Sequence, residues 1–162
     1  MQKIATINLF MQYLKFSAAH FTIFSETERE RLHGHNYFVK CSITAPVGDN
    51  GMIGDYRVFK KRLVNIVDAL DEYTIIAGLS PYLKINDDGE HYAITFNHQT
   101  LWLPKADVLV LPIRNTTIEE LSTHLLDSIV KDVCVSEQQL QKIEIQIESG
   151  SGQSCSACWI KS

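Results

Sequence analysis

The run from His33 to Ala45 constrains this chain more than any other stretch. Its apolar residues keep one parity, with Tyr37, Val39 and Cys41 on the same side as His33 and His35. Side chains alternate faces along an extended strand, so a period of two reads as a strand with one dry face. A second such run, Lys142 to Ser149, puts Ile143, Ile145 and Ile147 on one face and Glu144, Gln146 and Glu148 on the other. The segment from Ile4 to Phe21 is also extended, with Leu14, Phe16, Ala18 and His20 sharing a parity, and Ser154 to Ile160 reads as a last strand after the turn Gly150-Ser151-Gly152.

A sheet with one dry face needs a covering layer. Two amphipathic segments supply it. Asp55 can cap the first helix, in which Phe59, Leu63, Ile66, Val67 and Leu70 recur at helical spacing with Lys60, Lys61 and Arg62 opposite, ending at residues 70–73. The second opens at Asn115-Thr116-Thr117, carries Glu119 and Glu120 at its positive N-terminal end, and lines one face with Ile118, Leu121, Leu125, Ile129 and Val133. Three connections are less regular. Gly48-Asp49-Asn50-Gly51 is a turn, and Met52 to Tyr56 resumes an extended path, which predicts a hairpin. Between Tyr82 and Leu103, turns at Asp87-Asp88-Gly89 and near Asn97-His98 predict two or three short strands inserted as a hairpin, followed by an extended Asp107 to Ile113. The charged Ser25 to Arg31 reads as a solvated loop or one helical turn. The whole is a single α+β domain over residues 1–162, with two helices on one side of an antiparallel sheet.

Composition narrows the function classes. A net charge of −4 with no basic cluster among aromatics lacks the footprint of a nucleic-acid binder. No apolar run reaches membrane-spanning length, and Asn8, Gln12 and Lys15 interrupt the apolar N-terminus, so a buried first strand is expected there, in a cytoplasmic protein. The four cysteines, Cys41, Cys134, Cys155 and Cys158, are then reduced thiols; Cys155 and Cys158 form a C-x-x-C read as strand or turn residues. His91, His98 and His124 lack partners at ligand spacing.

His33-Gly34-His35 carries the chemistry. On a strand the two imidazoles project from one side about 6.5–7 Å apart, within reach of one metal ion. His20, ending another alternating run, is the candidate third ligand. Three neutral imidazoles leave a fourth position of zinc open, the pattern of a catalytic site. On its own H-x-H is weak, since surface histidines two apart are common.

Phe16-Ser17-Ala18-Ala19-His20, Leu32-His33-Gly34-His35-Asn36-Tyr37 and Glu148 together resemble the 6-pyruvoyltetrahydropterin synthase / 6-carboxytetrahydropterin synthase family. Asp55, Leu70-Asp71 and Asn115-Thr116-Thr117-Ile118-Glu119 also fall where that family has motifs. The resemblance spans nearly the whole chain. It implies a tunnelling fold of four antiparallel strands and two helices, with three subunits closing a barrel and two rings stacking as a hexamer. It further implies zinc on His20, His33 and His35, and a pterin site between subunits with Thr117 at the substrate and Glu148 anchoring the ring. A carboxylate suits that role, since it accepts two parallel hydrogen bonds from the exocyclic amine and adjacent ring N–H.

The chain departs from the family pattern in its relay. Arg29 stands where familiar members have a cysteine four residues before the first histidine of H-G-H, and Asp71 is followed by Glu72 instead of histidine. Arg29-Glu30-Arg31-Leu32-His33 is similar to a subgroup in which a glutamate one position closer replaces the cysteine, making Glu30 the candidate base. That subgroup is associated with cleaving the side chain of 7,8-dihydroneopterin triphosphate to 6-hydroxymethyl-7,8-dihydropterin. The missing histidine beside Asp71 leaves the general acid unassigned; Glu72 is the candidate to fill the role, in which a carboxylate needs a raised pKa. Two other readings stand beside this lyase: a 6-carboxy- or 6-pyruvoyltetrahydropterin synthase with an altered relay, and a binding protein that keeps zinc and pterin without the chemistry.

Overall fold

The computed structural model describes residues 3–132 and 139–161. Strand β1 (Ile4–Leu9) and strand β2 (Lys15–His20) both pair antiparallel with the long β3 (His33–Pro46), β1 along its second half and β2 along its first. The extended N-terminal segment is therefore two strands joined by a turn, in which the Leu14 N–H donates to the Met11 carbonyl. Strands β9 (Lys142–Glu148) and β10 (Ser154–Ile160) continue the sheet on the other side of β3. The four antiparallel strands β2, β3, β9 and β10 form the expected frame. Its dry face carries Leu14, Phe16, Ala18, Tyr37, Val39, Cys41, Ile43, Ile143, Ile145 and Ile147, all buried. The larger of two apolar clusters lies between this face and the helices on it.

Helix α1 (Tyr56–Asp68) begins where the Asp55 carboxylate accepts from the Arg57 N–H and buries Phe59, Leu63 and Val67. Helix α2 (Ile118–Val130) begins where the Thr117 hydroxyl accepts from the Glu120 N–H and buries Leu121, Ser122, Leu125, Leu126 and Ile129. Val133 and Cys134 lie outside the described residues. Cys155 is half-buried and Cys158 exposed on β10. Three positions apart, they face opposite sides of a strand and cannot share a metal or a disulfide there.

The sheet is wider than the four-strand frame. Strand β4 (Tyr73–Ala77) pairs parallel with β2, and β8 (Val108–Leu111) pairs parallel with β4, giving the order β10-β9-β3-β2-β4-β8 with β1 beside β3. The inserted segment is a separate antiparallel meander of three strands, β5 (Leu83–Asp87), β6 (His91–Phe96) and β7 (Gln99–Pro104), rather than a single hairpin. It covers a second apolar cluster of Phe21, Ile23, Ile76, Ile94, Phe96 and Val108. No hairpin forms at residues 48–56. Gly51 adopts φ +75° and the loop closes on itself, with Gly48 N–H donating to the Met52 carbonyl. Gly54 at φ +126° then turns the chain into the Asp55 cap, and β1 holds the edge of β3 that a returning strand would need. No helix among the described residues is long and apolar enough to cross a membrane.

Candidate metal and pterin site

Sheet register brings the three histidines together. His20, the last residue of β2, pairs across the ladder with His33, the first of β3, and His35 lies two positions on, on the same face. Ring centroids are 4.7 Å apart for His20 and His33, 5.2 Å for His20 and His35, and 4.8 Å for His33 and His35. One ligand nitrogen from each ring lies within 4.8 Å of the others. Tyr37, stacked on Phe16 at 4.7 Å, closes the buried side with its edge toward His20 and His35.

Hydrogen bonds select the tautomers. The Thr116 hydroxyl donates to the Phe21 carbonyl at 2.6 Å, so at 3.3 Å from His20 Nδ1 it can only accept. His20 therefore carries its proton on Nδ1 and leaves Nε2 with a free lone pair. His33 Nδ1 lies 2.8 Å from the Arg31 carbonyl, which only accepts, so His33 Nε2 is also a lone-pair donor. That atom is 3.0 Å from His35 Nε2, close to the roughly 3.3 Å between two imidazole nitrogens at tetrahedral Zn–N distances. His20 Nε2 is buried and has no hydrogen-bond partner among the described residues. A buried polar atom left unpaired is destabilising, and a cation bound by three nitrogens would remove that penalty. Burial, then the neighbouring His33 and His35, lower the His20 pKa to about 4, so the ring is neutral as a metal ligand must be. The donor set fits zinc, with outer hydrogen bonds of the kind that orient metal-ligating histidines.

Glu30 stands beside them. Its N–H donates to the Thr22 carbonyl and its Oε2 accepts from the Thr22 N–H, both at 2.9 Å, so backbone and carboxylate are held by one residue. Burial works to raise the Glu30 carboxyl, but the Thr22 bonds and the imidazoles of His33 and His20 outweigh it and hold it below its ordinary value. It is an ionised proton acceptor.

A cavity of about 500 Å³ unites these groups, lined by His20, Glu30, His35, Thr116 and Thr117, with Thr22, Glu119, Ser149 and Gln153 on its walls. That volume suits a small ligand. Thr22 shares the parity of His20, the signal that could have found it from sequence; Glu119 and Thr116 read there only as helix-start residues. Asp71, Glu72 and Glu148 do not line this cavity within one chain. Asp71 accepts from the Ser17 N–H at 2.7 Å, and Glu72 lines a second open cavity with Ser17, His35, Asn36 and Asp107. Glu148 pairs with Lys40 at 3.3 Å beside Phe10 and Phe38.

The family model of 6-pyruvoyl tetrahydropterin synthase matches residues 11–157. The chain belongs to this family. A Methanocaldococcus jannaschii protein with the provisional name 6-carboxy-5,6,7,8-tetrahydropterin synthase is 28% identical over 152 residues, covering 91% of this chain and 90% of the relative. A Pyrococcus horikoshii protein of the same provisional name is 27% identical over 134 residues, covering 82% and 78%. Among solved structures, the 6-pyruvoyl tetrahydropterin synthase of Plasmodium falciparum superposes with a TM-score of 0.91 at 25% identity, covering 98% of this chain and 99% of that one. The Plasmodium vivax protein gives the same TM-score and coverage at 23% identity. The tunnelling fold expected from the sequence is thus the fold of this chain.

Proposed function

We propose that the chain is a zinc-dependent lyase that cleaves the side chain of a 7,8-dihydroneopterin, with or without its triphosphate, to 6-hydroxymethyl-7,8-dihydropterin. One observation carries the reading: an ionised glutamate, Glu30, lines the same cavity as His20 and His35 of the three-histidine cluster, and no cysteine among the described residues does. Cys41 is fully buried in the core and Cys155 and Cys158 lie on β10. The P. vivax protein has also been solved as variants replacing a glutamate described as catalytic by alanine or cysteine.

Zinc held by His20, His33 and His35 would supply Lewis acidity, lowering the pKa of a substrate hydroxyl. The Glu30 carboxylate takes that hydroxyl's proton. As the oxygen's electron pair forms a carbonyl, the adjacent carbon–carbon bond breaks and its electrons move to the carbon attached to the pterin. That carbon is then reprotonated, by Glu30 or by Glu72 of another copy. The Thr117 hydroxyl accepts from its own helix, leaving its proton for the substrate. Glu148, which faces a different cavity, anchors a pterin where subunits of a trimer or hexamer meet.

Products of the zinc-loaded protein with 7,8-dihydroneopterin triphosphate, identified by mass spectrometry, test this. Release of 6-hydroxymethyl-7,8-dihydropterin, reduced about 10²- to 10⁴-fold in Glu30→Gln with zinc retained, is expected. A carboxy or pyruvoyl product would establish the second reading, which the names of the archaeal relatives favour. Unchanged substrate with zinc and pterin both bound would leave a binding protein.

A further inference from the structure

The charged run before the histidines is not a uniformly solvated loop. Arg29 leaves it and enters the seam between that loop and the inserted meander, where Thr27, Arg29, Glu30, Phe96, Asn97 and Gln99 line a common cleft. Its guanidinium lies over the Phe21 ring at 4.9 Å and near the Phe96 ring at 5.7 Å. Nη1 donates to the Glu30 carbonyl at 2.7 Å and Nη2 to Gln99 Oε1 at 3.2 Å. Nε is buried with no partner among the described residues. Such a burial is unfavourable for a surface charge, and it is offset here by stacking and two directed hydrogen bonds.

We infer that Arg29 is a positioning residue that uses the inserted meander as a brace to fix Glu30 against the histidine cluster. The inference rests on Glu30 being the base. Geometry supports the division of labour. The loop is held at its start by Asn115, whose Oδ1 accepts from Ile23 N–H and whose Nδ2 donates to the Ile23 carbonyl. Ile23 bridges to Arg29 across the loop, and Thr22 holds Glu30. What remains free is the peptide leaving Glu30 toward Arg31, and Arg29 Nη1 fastens its carbonyl. The other arm of the fork reaches Gln99, the first residue of β7. A lysine has one charged head in place of a planar fork, so it cannot tie both partners while stacking on Phe21 and Phe96. The meander is thereby part of the catalytic architecture without touching the cavity of the histidines.

The test compares Arg29→Met, Arg29→Lys, Gln99→Ala and Glu30→Gln in the zinc-loaded protein, reading zinc stoichiometry, amide hydrogen exchange and steady-state kinetics. In Arg29→Met, exchange at the Glu30 amide accelerates about tenfold or more while the core strands stay protected, because a local tie is lost and not the fold. Turnover falls about a hundredfold at little-changed KM, the expected consequence of a base displaced by about an ångström. Gln99→Ala shows part of both effects, and Arg29→Lys lies between Arg29→Met and the natural protein. In Arg29→Met combined with Glu30→Gln, turnover is no lower than in Glu30→Gln alone, a non-additivity that general loss of stability does not produce. Unchanged exchange at Glu30 in Arg29→Met, or additive losses of turnover, would overturn the inference. Should Glu30→Gln keep full turnover, the assignment of the base fails, and the exchange measurement, which needs no substrate, still decides whether Arg29 holds Glu30.

Discussion

Thr116 decides more about the histidine cluster than its position before a helix suggests. Its hydroxyl fixes the His20 tautomer by spending its own proton on the Phe21 carbonyl. Thr116→Val keeps the shape and removes both bonds, so zinc affinity measured by chelator competition should fall about 10- to 100-fold; unchanged affinity would show that packing alone orients the ring. His20, His33 and His35 were legible because strand parity and a ladder are enough to bring them together. Thr116 was not, since a residue 96 positions from His20 is joined to it by tertiary packing alone. At Cys41 a pH dependence follows. Burial first, and the Glu144 carboxylate second, push this thiol up to about 12 from its ordinary 9.0. Above pH 9 the unfolded thiol loses its proton while the folded one keeps it, so stability is complete below that pH and declines as pH rises toward 12. The decline is about 1.4 kcal/mol per pH unit for one such group. Urea unfolding from pH 8 to 10.5 should show a shallower alkaline decline in Cys41→Ala than in the natural protein, with equal slopes refuting the assignment.

Among the elements, Gly78 is where the parallel edge of the sheet closes. Its N–H donates to the Leu111 carbonyl, and a Cβ there would meet Val110 Cγ1 at 2.8 Å and the Leu111 oxygen at 2.9 Å. Gly78→Ala must push β4 and β8 apart and should cost about 1–3 kcal/mol, read as a lower urea midpoint with zinc stoichiometry intact; a midpoint within error of the natural protein would mean the edge yields freely. The same edge explains which elements the sequence disclosed. Strands β3, β9 and β10 alternate because one face is wet, and both helices carry caps and a single apolar stripe. Val108 to Leu111 falls inside the segment expected to be extended, but Tyr73 to Ala77 and Val108 to Leu111 are short, largely apolar runs whose periodicity cannot name their partners. Their parallel pairing depends on crossovers that no local pattern records. The turn at residues 48–51 had hairpin chemistry, yet a hairpin also needs an open edge on β3, and β1 occupies it.

At the scale of the whole molecule, the residues expected to act together are divided between cavities. Glu30 lines one with His20 and His35, while Glu72 lines another with Ser17, Asn36 and Asp107, and His35 borders both. Glu72 has φ +65°, a left-handed conformation uncommon for a side chain of its size, and it turns the chain from the end of α1 into β4. Such strain persists where the surrounding structure fixes it: the Glu72 N–H donates to the Ser17 carbonyl while Asp71 accepts from the Ser17 N–H. If the site is built between subunits, as proposed for the pterin anchor Glu148, Glu72 serves as proton donor to the histidine cavity of a neighbouring copy, from the far side of His35. Mixed oligomers test this. Glu30→Gln and Glu72→Gln are each expected to be inactive alone. Co-expressed in equal amounts, they should recover about a quarter of the natural activity, since a site joining two chains draws each intact residue from the right chain half the time. No recovery in confirmed mixed oligomers would put both residues in one chain's site, and full activity of Glu72→Gln alone would remove it from the chemistry.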